Sequence, residues 1–157
     1  MNPALMFSSK SDEWATPQDL FDRLHAEFDF QIDLAATAEN TKCLRFYSLQ
    51  DDALKIAWSL AADRGWCNPP YSRGRQAKFI AKAAEERRKG FLTVLLLPAR
   101  TDTRAFHAHI YDASKWQARE GVEIRFLSGR LRFGGSVNGA PFPSMVVVFR
   151  PTVGESA

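Results

Sequence analysis

Apolar positions recur along this chain with two different periods, and the alternation between them sets out the fold. In "TPQDLFDRLHAEF" (residues 16–28), Leu20, Phe21, Leu24 and Phe28 fall on one helical face. Thr16 reads as an N-cap, Pro17 as the first helical residue and Asp19 as a first-turn acid. A second amphipathic helix is predicted over "RQAKFIAKAAEERRKG" (75–90), with Phe79, Ile80 and Ala83 or Ala84 inward, the charges outward and Gly90 as the stop. Between the helices come a short strand in "FDFQIDLAA" ending at Asp33, a helical or turn segment in "LQDDALKIAW" (49–58), and a brief strand "RGWC" (64–67). "FLTVLLLP" (91–98) is apolar at consecutive positions, the pattern of a strand buried on both faces.

Beyond it the chain predicts a helix over about Asp102–Tyr111 and a strand "VEIRFL" (122–127). A shorter strand "RLRFGG" (130–135) and a last strand "SMVVVFRP" (144–151) follow, with the Gly-rich "FGGSVNGAPFPS" as a wide, mobile hairpin tip. Strands alternating with helices indicate an α/β fold with a mostly parallel sheet, and the terminal strand pair indicates an antiparallel edge. Length and composition, 157 residues with 45% hydrophobic and 12% aromatic, suit a single domain with one good core. No repeat or linker interrupts residues 1–157. The ordered part is expected over about 12–151, with both ends frayed.

Composition removes several classes of function. No apolar run reaches the ~18 residues of a membrane span, and "MNPALMFSSKSDE" lacks the basic start and apolar core of a signal peptide, so a cytoplasmic protein is expected. Cys43 and Cys67 are too few for a disulfide framework and have no metal-ligand spacing with the three histidines. Both are expected reduced, and no metal site is predicted. The net charge of +3 conceals a division: residues 1–63 carry 5 Lys/Arg against 11 Asp/Glu, and residues 64–157 carry 16 against 7. A basic half suggests a polyanionic partner, and an acidic half suits a cationic ligand.

The sign changes at "RGWCNPPYSRGRQ" (64–76). Asn68-Pro69-Pro70 ends any strand, because consecutive prolines remove two donors and fix φ. A plain turn is the simplest reading. With the aromatic Tyr71 attached, however, the tetrapeptide arises by accident in on the order of one in several hundred chains of this length. In an open α/β sheet, ligands sit at the carboxyl ends of strands, which here are Asp33, Asn68 and Pro98. These three ends are expected to share one crevice.

Asn68-Pro69-Pro70-Tyr71 matches the catalytic tetrapeptide of amino-group methyltransferases acting on N6 of adenine. The ordered set "DEWATPQDLFD", "IDLAATAEN", "DDAL…W", "WCNPPYSR", "LLLPARTDT" and "IRFLSGRLRF…APFPSMVVVF" resembles the small DNA N6-adenine methyltransferases of phages and prophages, the phage Dam-type family, over residues 12–150. The resemblance implies a Rossmann-like methyltransferase fold. It also implies S-adenosylmethionine as donor, S-adenosylhomocysteine as product, and double-stranded DNA as partner. For a phage-encoded protein the location would be the host cytoplasm.

The chemistry of an aromatic amine explains the motif. The nitrogen's lone pair is delocalised into the ring, so two acceptors on its N–H bonds are needed to make it more tetrahedral and nucleophilic. Asn68 offers a side-chain oxygen and Pro69 a backbone carbonyl, both held extended by the residue that follows. Pro70 fixes the loop, and Tyr71 offers a ring face to a base flipped out of the duplex.

For the donor, the resemblance implies a wall made by Trp14, Ala15, Thr16 and Pro17. Asp33 and Ala35 lie at the first strand end, Asp52 faces the donor's adenine, and Asn68 and Pro98 complete the set. "DLAATAEN" has no glycine-rich loop, so Ala35 and Ala36 stand where close approach is needed. Arg73, Arg75, Arg100 and Arg130, with Arg104 and Arg132, are candidate phosphate contacts. The loop from Ser128 to Pro143 is the candidate sequence-reading element. Two alternatives stay open: a protein glutamine-N5 methyltransferase, whose amide also needs two acceptors, and a DNA-binding remnant without catalysis.

Overall fold

The structure, a computed structural model, describes residues 14–72 and 74–152. The expected fraying at both ends and the candidate contact Arg73 lie outside the described residues. Helix α1 spans Gln18–Phe28 and buries Leu20, Phe21, Leu24 and Phe28, the four residues its periodicity selects. Thr16 does not cap it: Pro17 holds the N-cap position without a side-chain bond, and its carbonyl accepts from Phe21 N. The Thr16 hydroxyl is used elsewhere, as described below.

Strands β1 (Ile32–Asp33), β2 (Arg64–Cys67) and β3 (Leu92–Pro98) pair in parallel. Strand β7 (Ser144–Phe149) runs antiparallel between β3 and the edge strand β6 (Val122–Phe126), giving the order β1-β2-β3-β7-β6. Four strands therefore run one way and only β7 runs against them. Beyond β1, Phe46 bridges Asp33 in parallel, so the segment around it finishes that edge. Gly65 in β2 is required by close packing, since a Cβ there would lie 2.8 Å from the Phe91 ring and 2.9 Å from Leu34.

The consecutive apolar run of β3 divides between two cores. Leu95 and Leu97 face one side with Phe79, Ile80 and Ala83 of helix α2 (Arg75–Glu86), and Val94 and Leu96 face the other with α1. This two-sided burial is what the sequence pattern predicts. Gly90, at φ 92°, stops the short turn Arg87–Lys89 that extends α2. One outward expectation is overturned. Glu86 is fully buried, its carboxylate accepting from Ser59 N (3.1 Å) and pairing with Lys82 (3.0 Å) and Lys89 (3.2 Å). These partners hold its pKa below the usual carboxylate value against the opposing pull of burial.

The region after β3 differs most from expectation. The helix expected over Asp102–Tyr111 is reduced to a wide π-type turn at Phe106–Ile110. Tyr111 instead enters a small ribbon, β4 (Tyr111–Asp112) with β5 (Gln117–Ala118), whose turn places Trp116 at φ 55°. The expected strand "RLRFGG" is absent too. Ala140 N donates to Leu131 O and Phe133–Gly135 forms a 3-10 turn, because the Phe133 side chain is drawn into the core rather than left to alternate.

Candidate active site

Two carboxyl-end loops converge on one cavity of about 360 Å³, whose wall includes Trp14, Thr16, Asp33, Asp52, Asn68 and Arg75. Ala15, Ala35 and Ala36 also line it. Two of the residues selected for the donor wall do not. Pro17 is taken up by the start of α1, and Pro98 lines a separate cavity of about 210 Å³ on the other side of the Asn68–Tyr71 loop, with Tyr71, Gln76, Arg100 and Met145. The single crevice expected from three strand ends is thus two, divided by the proline-fixed loop.

The Asn68 side chain is oriented by its amide nitrogen. Nδ2 donates to the Trp14 carbonyl and to Thr16 Oγ1 (3.1 Å), which is the use to which Thr16 is put. The reverse orientation would press the amide oxygen against the Trp14 carbonyl. Oδ1 is therefore left over, buried and without a partner among the described residues. A buried orphan acceptor costs about 1–3 kcal/mol, and this one sits at the carboxyl end of β2, where the cavity opens.

Asp33 is almost completely buried, at 3% exposure. Its carboxylate accepts from Ala35 N (3.3 Å) and Lys42 N (3.0 Å), so it staples the glycine-free loop shut. Its backbone pairs with Arg45 O and Tyr47 N. Burial raises its pKa to about 7, against the two backbone donors that pull it down. Ala35 and Ala36 both line the larger cavity, and the Ala35 amide is one of the two that reach the carboxylate.

In "QDD", the two acids separate cleanly. Asp51 closes a local turn by accepting from Ser48 N (2.7 Å), whereas Asp52 adopts φ 52° and turns toward the cavity, with only a loose pair to Lys55 at 3.6 Å. Lys42, which sequence reading did not select, lines the same wall and reaches Gln18 Oε1 (2.7 Å).

Tyr71 does not present a free face. Its ring stacks on Trp14 at 5.8 Å and 12°, and Phe133 and Phe142 of the β6–β7 loop close around the pair. Its hydroxyl is buried without a partner among the described residues, and burial raises the phenol pKa far above ordinary tyrosine. Phe133 and Phe142 were missed because the Gly- and Pro-rich setting reads as a loop tip; the available signal was two aromatics inside a polar loop.

The basic residues are dispersed. Arg75 lies over the Phe79 ring at 5.9 Å and faces the larger cavity rather than open surface, while Arg100 lies over Phe142 at 5.9 Å. Arg130 donates to Ala140 O at 3.3 Å within the loop. Arg100, Arg104, Arg130 and Arg132 are exposed. Cys43 and Cys67 are free thiols, with burial pushing Cys43 up to about 12 and Cys67 well above the ordinary value. Among the described residues, no three His, Cys, Asp or Glu side chains cluster as a metal site, and no helix is long and apolar enough to cross a membrane.

Comparison with known proteins gives a family for the chain. The chain is 30% identical over 155 residues to a DNA N-6-adenine-methyltransferase of Escherichia phage T1, which covers 88% of this chain and 63% of that protein. It is 27% identical over 146 residues to the DNA N-6-adenine-methyltransferase of Haemophilus phage HP1, covering 91% of this chain and 81% of that one. The chain thus spans less than two thirds of the phage T1 protein's length. A family model described as DNA N-6-adenine-methyltransferase (Dam) matches residues 5–157, so this chain belongs to that family, in its phage type.

Proposed function

We propose that the protein transfers a methyl group from S-adenosylmethionine to N6 of an adenine flipped out of double-stranded DNA. The observation that carries this reading is the Asn68 amide, pinned through its nitrogen so that an unpartnered buried oxygen is left as an acceptor. An amine with two N–H bonds needs that acceptor.

The residues present fit the donor. It supplies a methyl group on a positively charged sulfonium, and the larger cavity has a buried acid, a second acid and half-buried aromatic and small walls. Trp14, Ala15, Thr16, Asp33, Ala35, Asp52 and Asn68 would hold it, with a doubly wound Rossmann-like topology supporting the binding edge. Asp52, free of the turn that Asp51 closes, offers its carboxylate to the donor's adenine. Asn68 Oδ1 and the Pro69 carbonyl accept the two N–H bonds of the substrate amine. Attack by the nitrogen would form the N–C bond as the donor's S–C bond breaks to a neutral thioether, and the two acceptors would stabilise the positive charge on nitrogen until one N–H proton passes to solvent. Arg100 and Arg130, with Arg73, would grip phosphates, and the Ser128–Pro143 loop would read sequence.

Tritium transfer from labelled S-adenosylmethionine to duplex DNA, with protein and RNA as parallel acceptors, tests the assignment. Label recovered in N6-methyladenine supports it. Label in protein glutamine would move the assignment to the protein methyltransferase, and no transfer to any acceptor would leave a DNA-binding remnant.

A further inference from the structure

We propose that Tyr71, Phe133 and Phe142 form the receptor for the target base and that the Trp14 indole occupies this receptor until DNA arrives. The inference rests on the adenine-N6 reading above and goes beyond it, because it assigns roles to Phe133, Phe142 and Trp14 at the base rather than at the donor.

The four rings are in mutual contact, with every pair of centroids between 5.2 and 6.1 Å. Their angles differ in an informative way. Trp14 lies nearly parallel to Tyr71, at 12°, while Phe133 stands edge-on to it at 78° and Phe142 tilts at 42°. One stacked face and two inclined walls are the arrangement that a planar bicyclic ring accepts, and indole and purine are both fused bicyclic rings. The ring face that a flipped base requires is therefore built and already filled.

The indole is poorly satisfied where it lies. Its Nε1 is buried and has no acceptor among the described residues, whereas a buried tryptophan ordinarily finds one. Its backbone, by contrast, is well held. The Trp14 carbonyl accepts from Asn68, and the neighbouring Ala15 carbonyl accepts from Gly134 N at 2.9 Å, next to Phe133. Rotation about the side-chain bonds can remove the indole while the main chain continues to orient the Asn68 amide and to anchor the β6–β7 loop.

Position explains why removal matters. Trp14 lines the larger cavity and also belongs to the aromatic box. The indole is the partition between the donor's side and the base's side, with Asn68 at the boundary. Methyl transfer requires the two compartments to meet, so exchange of indole for adenine opens the path and supplies the substrate in one event.

Two measurements decide it. In a Trp116→Phe background, which removes the exposed tryptophan, Trp58 and Trp66 remain fully buried and Trp14 is the ring that can change environment. Acrylamide quenching should rise, with a red shift, when a duplex that accepts methyl groups is bound together with S-adenosylhomocysteine, and both changes should vanish in Trp14→Phe. Trp14→Ala, relieved of the competing stack, should bind that duplex roughly 3- to 10-fold more tightly. A residue that served only as donor wall would weaken donor binding and leave DNA affinity unchanged. Quenching that stays at the free-protein level in the bound state overturns the proposal, as does DNA affinity at or below wild type in Trp14→Ala. The quenching result decides alone where Trp14→Ala does not fold. No transfer to DNA at all would instead overturn the underlying adenine-N6 reading.

Discussion

On one side of the Asn68–Tyr71 loop the wall is polar and held by directional bonds: Asp33 holds two loop amides, and Asn68 is tied through its nitrogen, which leaves Oδ1 without a partner among the described residues. Against the Trp14 edge of that wall four aromatic rings lean on one another, and the Trp14 indole nitrogen and Tyr71 hydroxyl lack partners among the described residues. Directional bonds keep a cavity open at a fixed shape, because each acceptor has one best geometry. Aromatic contact is much less directional, so the box closes on whatever planar ring is at hand. The first arrangement suits the proposed donor, and the second would suit the proposed flipped base, which enters and leaves with each turnover.

The comparison breaks most sharply at its boundary residue. Asn68→Ala is expected to lower the rate of methyl transfer by ~10²-fold or more while donor affinity changes little, measured by single-turnover transfer and calorimetric titration. A variant with near wild-type transfer would remove Asn68 from the chemistry.

The polar side has its own signature in pH. Burial raises the Asp33 pKa to about 7, so its protonated form contributes stability that is complete below the ordinary value of 3.8 and is lost as pH rises through about 7. Donor binding has the opposite sign. A cationic ligand nearby favours the carboxylate, so affinity should rise by up to about tenfold between pH 6 and 8, with about half a proton released per donor bound near pH 7 and up to about one near pH 6. Titrations in buffers of different ionisation enthalpy measure that proton. A flat affinity profile over this range would mean that the Asp33 charge does not sense the donor.

Thr16→Val sharpens the comparison at smaller scale. It removes one of the two acceptors on the Asn68 amide nitrogen, and with one hydrogen bond worth about 1 kcal/mol, kcat should fall roughly fivefold with donor KM little changed. A helix-cap role would instead lower the melting temperature without a specific loss in kcat. The smallest expected effect is electrostatic: Arg130→Ala should reduce the salt slope of DNA binding by about one if its guanidinium contacts a phosphate.

Legibility from sequence followed the same division. Elements whose side chains answer to a regular period were readable, including all four buried residues of α1 and the doubly buried β3. The Asn68 motif stood out by its turn chemistry and Asp52 by the family resemblance alone, and both line the larger cavity. Thr16 was misread because Thr-Pro before an amphipathic run is also an ordinary helix start, and its real partner, Asn68, is 52 residues away. The same long-range blindness concealed the aromatic box, which draws on residues near 14, 71, 133 and 142. Glu86 was assigned to solvent because its period is that of a charged face, whereas the turn at Trp58–Leu60 supplies it with a backbone donor.

The Asp33 staple has a kinetic consequence. Four bonds converge on this residue, two at its carboxylate from Ala35 and Lys42 and two at its backbone with Arg45 and Tyr47. None of the loop between them can swing outward while the others hold, so residues 34–47 should open as one cooperative unit rather than fray amide by amide. Hydrogen exchange at Ala35, Lys42 and Tyr47 would then share a single opening free energy. Entry to the cavity would be timed by that event, much as a door on several hinges moves only as a whole.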